Sequence, residues 1–398
     1  MKNSFLESED KSKCCGCNAC IQACPNRCLE AISDSEGFNY PILKHPEKCI
    51  DCSKCRNVCP MEKNDFLNPN RIFYGMVNKN KSELLKSSSG GVFVELAKTM
   101  INDGGIVYGV ALIENQAVYR RIDRCEELDE ILGSKYIQAN SQSIYINIKT
   151  DLELGIKVLI CGTPCFIAGL KKFLKKEYDG LITVDLICHG VPSQKIFDKY
   201  IEWLEKKRKG HILDFKFRDK STYGWGISAT YKFNNKIKSE LTVSSPYIWA
   251  YLKNYLHRPS CYTCPYASDN RPGEITLGDF WEMDRVGCQL NSKDGISLVK
   301  INNATGKAYL ENIKSYFFLQ EMEYEGCIYT NGALYEPSKK ENNRELIYKN
   351  IDGMTFDLLI TKYFNMPNQA IVKIKKMIPP SIKKYIKSIV KYGEKEKI

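Results

Sequence analysis

Apolar positions recur along this chain with two different periods, and the expected elements follow from them. From Val92 to Met100 the apolar residues keep helical spacing, and Gly104 and Gly105 stop the helix. Ile106 to Ile113 is a largely apolar run of strand length. Lys157 to Ile160 reads as a short buried strand, Pro164 to Lys176 as a helix and Leu181 to Ile187 as another strand. Two apolar strands joined by one helix predict a parallel βαβ unit with a right-handed crossover. The central body is therefore expected to be α/β with a mixed or parallel sheet. A polar stretch from Glu62 to Asn70, closing on Asn-Pro-Asn, reads as a linker in front of that body. From about Glu341 the chain turns lysine-rich and less strand-like, which predicts a helical extension. The expected divisions are residues 1–65, 66–335 and 336–398.

Cysteine usage changes the picture most. Ten of the eighteen cysteines lie in the first sixty residues, and eight of them form one phrase written twice. Cys14, Cys17, Cys20 and Cys24 precede Pro25, and Cys49, Cys52, Cys55 and Cys59 precede Pro60. The spacing x2, x2, x3 with a closing proline is the bacterial ferredoxin run for [4Fe–4S] clusters, in which the fourth thiolate reaches across to the other cluster. Cys14, Cys17 and Cys20 are thus expected to pair with Cys59, and Cys49, Cys52 and Cys55 with Cys24. Residues 1–65 are expected to form an α+β, ferredoxin-like unit. Structural zinc uses pairs of cysteines separated by a longer spacer. Cys15 and Cys28 stand outside the phrase and read as bystanders.

A second centre shows in the body. The strand ending at Ile160 runs into Cys161-Gly162-Thr163-Pro164-Cys165, where Thr163 suits an N-cap and Pro164 the first helical position. Cys165 then falls in a helix's first turn, where a thiol's pKa is lowered. The next strand ends in Cys188-His189-Gly190, and Cys261-x2-Cys264-Pro265 is half a ferredoxin phrase on a loop. Strand carboxyl ends are where open α/β sheets hold their ligands. Cys165, Cys188, Cys261 and Cys264 would close a third four-thiolate site, or the strand-end cysteines are small buried hydrophobes. Ser87-Ser88-Ser89-Gly90-Gly91 precedes a helix and either cradles a phosphate or merely starts that helix. Gly133-Ser134-Lys135-Tyr136 follows an expected helix with a capping box, Asp123 and Glu126, so Gly133 suits a C-cap. No GxGxxG fingerprint is present, so an ordinary Rossmann NAD or FAD site is not supported.

Taken in order, Lys86 to Phe93, Gly133 to Tyr136, Gly162 to Cys165, Asp185 to Pro192, Arg218-Asp219-Lys220, Cys261 to Pro265, Ile275 to Trp281 and Gly295 to Leu298 resemble the beta subunit family of coenzyme F-420 hydrogenases and dehydrogenases. The resemblance covers roughly Arg71 to Asn303. It implies a flavoprotein that binds FAD beside a third [4Fe–4S] cluster held by Cys165, Cys188, Cys261 and Cys264. It implies FAD contacts from Ser87, Ser88, Ser89, Gly90, Gly91, Gly133, Ser134, Lys135, Tyr136 and Arg218. The implied function is an oxidoreductase passing electrons between clusters and a flavin to a small-molecule substrate, with a redox partner protein such as a ferredoxin or a reductase. The alternative is a relay subunit without chemistry of its own. Bacterial relatives often accompany polysaccharide pyruvyl transferases, which points to polysaccharide biosynthesis. Phe166 departs from the family, many of whose members place glutamine there. His189, Asp279 and Lys220 are the candidate catalytic groups, although His189 equally suits a strand-end hydrogen bond and Asp279 a turn cap.

Composition fits this reading. The 398 residues are 43% hydrophobic and 26% charged, those of a soluble globular chain of two or three domains. Met1 to Asp10 is polar and acidic, without the apolar centre of a signal peptide, which suggests a cytoplasmic protein whose thiols serve metals. The net charge of +11 invites nucleic acid. Three clusters with their twelve thiolates contribute about −6 and a flavin pyrophosphate about −2, leaving the loaded protein near +3 by that rough estimate. With no nucleic-acid-binding motif beside it, nucleic acid is excluded as a partner. In the tail, Ile382, Tyr385, Ile386, Ile389 and Val390 share a helical face opposite Lys383, Lys384, Lys387 and Lys391. Such a helix either lies on anionic lipid at the membrane's inner face or packs on the body.

Overall fold

The computed structural model describes residues 5–62, 64–67, 72–368 and 372. The lysine-rich face from Ile382 to Lys391, and with it the expected membrane contact, lies outside the described residues. Among the described residues no helix is long and apolar enough to cross a membrane.

The N-terminal unit contains α1 (Ala19–Ala23), the antiparallel hairpin β1 (Leu29–Ser33) and β2 (Asn39–Leu43), and α2 (Lys54–Asn57). Both short helices start at left-handed residues, Asn18 and Ser53, just after the second cysteine of each phrase, so the chain turns sharply inside each cysteine loop.

The body is built on an eight-stranded sheet. Its strands are β3 (Ile72–Asn78), β4 (Ile106–Ile113), β5 (Gln116–Ile122), β6 (Val158–Gly162), β7 (Leu181–Leu186), β11 (Ile275–Asp279), β12 (Ser297–Ile301) and β13 (Phe317–Met322), ordered β13-β3-β12-β11-β7-β6-β4-β5. A separate three-stranded sheet takes β8 (Ile212–Lys216), β9 (Ser228–Phe233) and β10 (Lys236–Leu241). The four central strands β4, β6, β7 and β11 are mutually parallel, and antiparallel strands flank them on both sides. The expected unit is therefore present: β6 and β7 pair in parallel around the helix Pro164–Leu174. Val158, Leu159 and Ile160 are all fully buried, as a parallel strand covered on both faces requires.

One face of the sheet packs on the helix Val92–Asn102 through Leu96, Ala97 and Met100. The other face packs on the helices Ile144–Glu153 and Pro164–Leu174, and Ala19 and Val58 of the N-terminal unit join that same core. The helices Asn342–Lys349 and Phe356–Tyr363 bury Ile347, Tyr348, Phe356 and Leu359 in a third core shared with Phe38 and Tyr40. Arg344 pairs with Glu36 across that junction. The start and end of the described chain thus close on one another.

One local expectation fails. The segment before Gly133 is a 3-10 turn, Cys125–Glu130, without a side-chain cap. Asp123 does not cap it, because its carboxylate accepts from Arg121 at 3.0 Å.

Candidate functional site

The cysteines of the N-terminal unit and of the body meet at Cys15, Cys17 and Cys165. In the N-terminal unit, Cys14, Cys17, Cys20 and Cys59 line one largely apolar pocket, together with Cys15 and Cys55, walled by Pro41, Pro60 and Met61. The four thiols suit an iron–sulfur cluster, which is held by four thiolates, and the apolar walls would shield it from water. The backbone brings Cys59 there because the turn after α2 carries it back toward α1. Gly169, in the helix after β6, permits the approach: a Cβ there would stand 3.1 Å from the Cys17 sulfur. The other four cysteines form a more open group in which Cys24 lies within electrostatic reach of Cys55, with Cys52 beside it. Cys49 and Cys52 are exposed. The backbone N–H of Cys28 donates to the Cys24 sulfur at 3.2 Å. Residue 28 thus supports Cys24 through its backbone N–H.

The third group is assembled from separate segments. Cys165 opens the helix after β6, Cys188 follows β7, and Cys261 and Cys264 sit on the turn Pro259–Thr263 and its exit. Cys188 lies beside Cys165 and Cys264, and Cys261 beside all three. Burial pushes Cys188 up to about 12 and Cys264 up to about 11. Cys165 differs. A hydrogen bond from the Cys15 thiol, and to a smaller extent the Thr163 hydroxyl, brings it down to about 7 against the opposing effect of burial. Thr163 occupies the N-cap position but makes no side-chain cap bond; its Oγ1 lies 3.5 Å from the Cys165 sulfur instead. The four thiols suit a metal cluster, since buried thiolates are tolerated when a cation replaces their protons. One thiol is poised to ionise first.

Cys15, unassigned by the spacing, hydrogen-bonds to both Cys17 and Cys165 and so joins the first group to the third. Two arginines border the third group. Arg271 is fully buried and donates from Nε and Nη2 to Asp185 Oδ1 at 2.9 and 2.7 Å, and to the Tyr266 and Leu186 carbonyls. Arg258 reaches into the N-terminal unit. Neither stood out in the sequence, because only the fold brings residues 185 and 271, or 14 and 258, together.

The candidate flavin loops also meet. The Ser88 and Ser134 hydroxyls are 2.9 Å apart, and the Ser134 N–H donates to Ser88 Oγ at 2.8 Å. Lys220 donates from Nζ to the carbonyls of Leu84 at 2.8 Å and Ser89 at 2.5 Å, clasping the loop from below. Arg218 pairs with Asp279, whose other oxygen accepts from Trp225 Nε1 at 2.9 Å. Tyr136 lies against Arg218, and Trp225 stacks on Trp281 with centroids 4.8 Å apart. Gly133 has φ +80° and open space where a Cβ would sit. Arg218 lies over the Trp281 ring at 5.6 Å, so cationic, hydroxyl and aromatic groups meet at these loops. The groups of this loop are less available than the sequence suggests: Ser87 donates to Glu83 and Ser89 to Ile296, and the Gly90 N–H is held by Ser297 Oγ at 2.8 Å.

Two candidates stand apart. Lys135 folds back onto the Leu132 carbonyl at 2.7 Å, where burial draws its pKa down to about 7. His189 is edge-on to Tyr251 and to the buried His257, at 5.4 and 5.0 Å. Tyr251 in turn stacks on Tyr136 at 4.5 Å and lies near Cys188 and Cys261. The aromatic pair spans from the third thiol group to the serine loops.

Comparison with known proteins gives three findings. The family model for the C terminus of the coenzyme F-420 hydrogenase/dehydrogenase beta subunit matches residues 155–325, and that of a 4Fe-4S dicluster domain matches residues 13–63. Ferredoxin-3 of Nostoc sp. strain PCC 7120 is 36% identical over 69 residues, which cover 14% of this chain and 71% of the ferredoxin. A chain from the solved F-420-reducing [NiFe] hydrogenase complex of Methanosarcina barkeri is similar at 15% identity and a TM-score of 0.43, over 79% of this chain and 94% of that one.

Proposed function

We propose that the chain, whose residues 155–325 match the C terminus of the coenzyme F-420 hydrogenase/dehydrogenase beta subunit and whose residues 13–63 match a 4Fe-4S dicluster domain, is a flavin-dependent oxidoreductase with three clusters. The two N-terminal clusters would be held by Cys14, Cys17, Cys20 and Cys59 and by Cys24, Cys49, Cys52 and Cys55. The third would be held by Cys165, Cys188, Cys261 and Cys264, with FAD between the Ser87–Gly91 loop and Gly133–Tyr136. Clusters carry single electrons and a flavin accepts two as hydride, which is the chemistry these groups supply when bound. The acceptor or donor beyond the flavin is a small molecule, on the resemblance an intermediate of polysaccharide biosynthesis.

The observation that carries this reading is the meeting of four thiols from three chain segments, joined through Cys15 to the N-terminal group and through Tyr251 and Tyr136 to the serine loops. The remaining residues serve position and charge. Asp185 and Arg271 fix the loop that bears Cys264 to the end of β7. Arg218, held by Asp279, lies beside the proposed phosphate cradle, and Lys220 fixes its loop through the Leu84 and Ser89 carbonyls. The indole pair Trp225–Trp281 shields that end from water.

The exposure of Cys49 and Cys52 favours a redox protein as the other partner, since single electrons pass readily only over short distances. Anaerobic purification with iron, sulfide and flavin analysis tests the reading. It expects about twelve irons and one flavin per chain, at four irons for each four-thiolate site. About eight irons without flavin, unchanged by Cys261→Ser, would overturn the third centre and the flavin site together.

A further inference from the structure

Four arginines are buried among the described residues: Arg218, Arg258, Arg271 and Arg344. Three of them pair with carboxylates, namely Asp279, Asp185 and Glu36. Arg258 differs. Its guanidinium is wholly buried and donates from Nε to the Cys14 carbonyl at 2.6 Å, from Nη1 to Gln138 Oε1 at 2.9 Å, and from Nη2 to the Asn39 carbonyl at 2.9 Å and the Cys14 sulfur at 3.4 Å. None of these partners is a carboxylate. A buried, permanently charged group requires a counter-charge, and among these partners Cys14 alone can carry one.

The backbone of the same residue is committed elsewhere. Its carbonyl accepts from the Cys261 N–H at 2.9 Å, and its own N–H donates to the Val191 carbonyl at 2.9 Å. Tyr40 lies under the guanidinium at 4.1 Å. Gln138, which aims Nη1, also donates to the Cys15 carbonyl at 3.1 Å. Gly16 is required by this packing, since a Cβ there would stand 2.2 Å from Gln138 Nε2 and 2.8 Å from Arg258 Nη1.

We propose that Arg258 is the counter-ion of the first cluster site, a positioning residue that makes the site Cys14/Cys17/Cys20/Cys59 accept an added electron more readily than its burial alone would allow, while its backbone fixes Cys261 of the third site. A [4Fe–4S] centre with four thiolates changes from about −2 to about −3 when it gains one electron, with no bond made or broken. Burial opposes that gain, and the exposed second site, whose Cys24 receives a neutral backbone N–H, has no such opposition. A guanidinium on the Cys14 sulfur favours the more negative state and offsets the difference. The inner site is thereby kept reducible from the outer one.

This inference rests on the cluster assignment at Cys14, Cys17, Cys20 and Cys59. The test is a redox titration of the intact, anaerobically purified chain with dithionite, followed by electron paramagnetic resonance. The first-site signal is identified by its loss in Cys59→Ala. In R258Q the reduced-to-oxidised ratio of that site, at the poise where the wild type is half reduced, is expected to fall about tenfold, a shift of about 59 mV for one electron. The second-site signal should hold its position, and R258K, which keeps the charge, should return most of the way to wild type. An unmoved first-site midpoint in R258Q, an equal shift at both sites, or R258K as low as R258Q would each overturn the role. Where R258Q does not assemble its clusters, Q138L replaces it: a smaller shift of the same sign supports the proposal and none overturns it. Wild-type protein without iron at this site would refute the cluster assignment instead, so the two failures are distinguishable.

Discussion

Replacing Asp185 by asparagine keeps the shape of the side chain and removes its charge, which makes it the sharpest probe of the third centre's scaffold. Asp185 and Arg271 are both completely shielded from water. Oδ1 accepts two N–H groups of Arg271, at 2.9 and 2.7 Å, and Oδ2 accepts the Gly273 N–H at 2.7 Å. The amide that replaces the carboxylate can accept on one oxygen only, and its NH2 group would face either the guanidinium or the Gly273 N–H. The guanidinium loses the buried carboxylate that accepts two of its N–H groups, a loss of about 3–5 kcal/mol. At about 2–4 °C per kcal/mol for a domain of this body's size, the melting temperature should fall by roughly 10 °C. The chain from Cys264 to Gly273 is anchored through Arg271 to the Tyr266 and Leu186 carbonyls, so the same variant should also release that loop. Differential scanning fluorimetry and iron analysis under nitrogen measure both effects. A D185N protein that melts within about 2 °C of wild type and keeps its full iron would refute the claim that this pair holds the loop.

Cys188→Ser and Cys264→Ser should each lower the iron content by about four per chain, one cluster's worth, whereas Cys15→Ser, outside all three ligand sets, should leave it unchanged; iron and sulfide assays decide. Gly90→Ala would place a Cβ 2.0 Å from the Met76 carbonyl and 2.5 Å from the Ser297 N–H, both backbone. The expected outcome is about 1–3 kcal/mol lost and a chain that purifies without flavin, and a yellow, wild-type-stable G90A protein would contradict it. Burial, and then Arg218, draw the Lys220 pKa down to about 7. The unfolded chain therefore binds more protons between about pH 7 and lysine's ordinary range, so this group's contribution to stability rises with pH across that window. The wild type should gain on K220M between pH 7.5 and 9.5 by the order of 2 kcal/mol, and parallel melting profiles of the two proteins would count against a buried lysine there.

The elements of the central sheet were legible because parallel strands buried on both faces must be continuously apolar: Ile106–Ile113 is both the apolar run and the strand. The N-terminal cysteines were legible because their ligands lie close in sequence. The expected helix with Asp123 and Glu126 failed where a neighbouring strand residue, Arg121, competed for the cap. Arg258 and Asn39 are far apart in sequence, as are Lys220 and Leu84, so their roles arise only from tertiary contact. Trp225 and Tyr251 give no local signal, since an aromatic residue beside a cofactor loop looks in sequence like any core residue.

The unequal shielding of the two N-terminal cysteine groups also fixes an order of decay. Oxygen and chelators meet Cys49 and Cys52 at the surface, while the cavity around Cys14 is walled by Pro41, Pro60 and Met61. Damage should therefore start at the outermost group and move inward. A preparation exposed briefly to air would lose its link to any partner first while its inner reservoir stayed chemically whole. Such a protein would still change colour with dithionite yet exchange no electrons with a partner protein, so inactivity would precede bleaching.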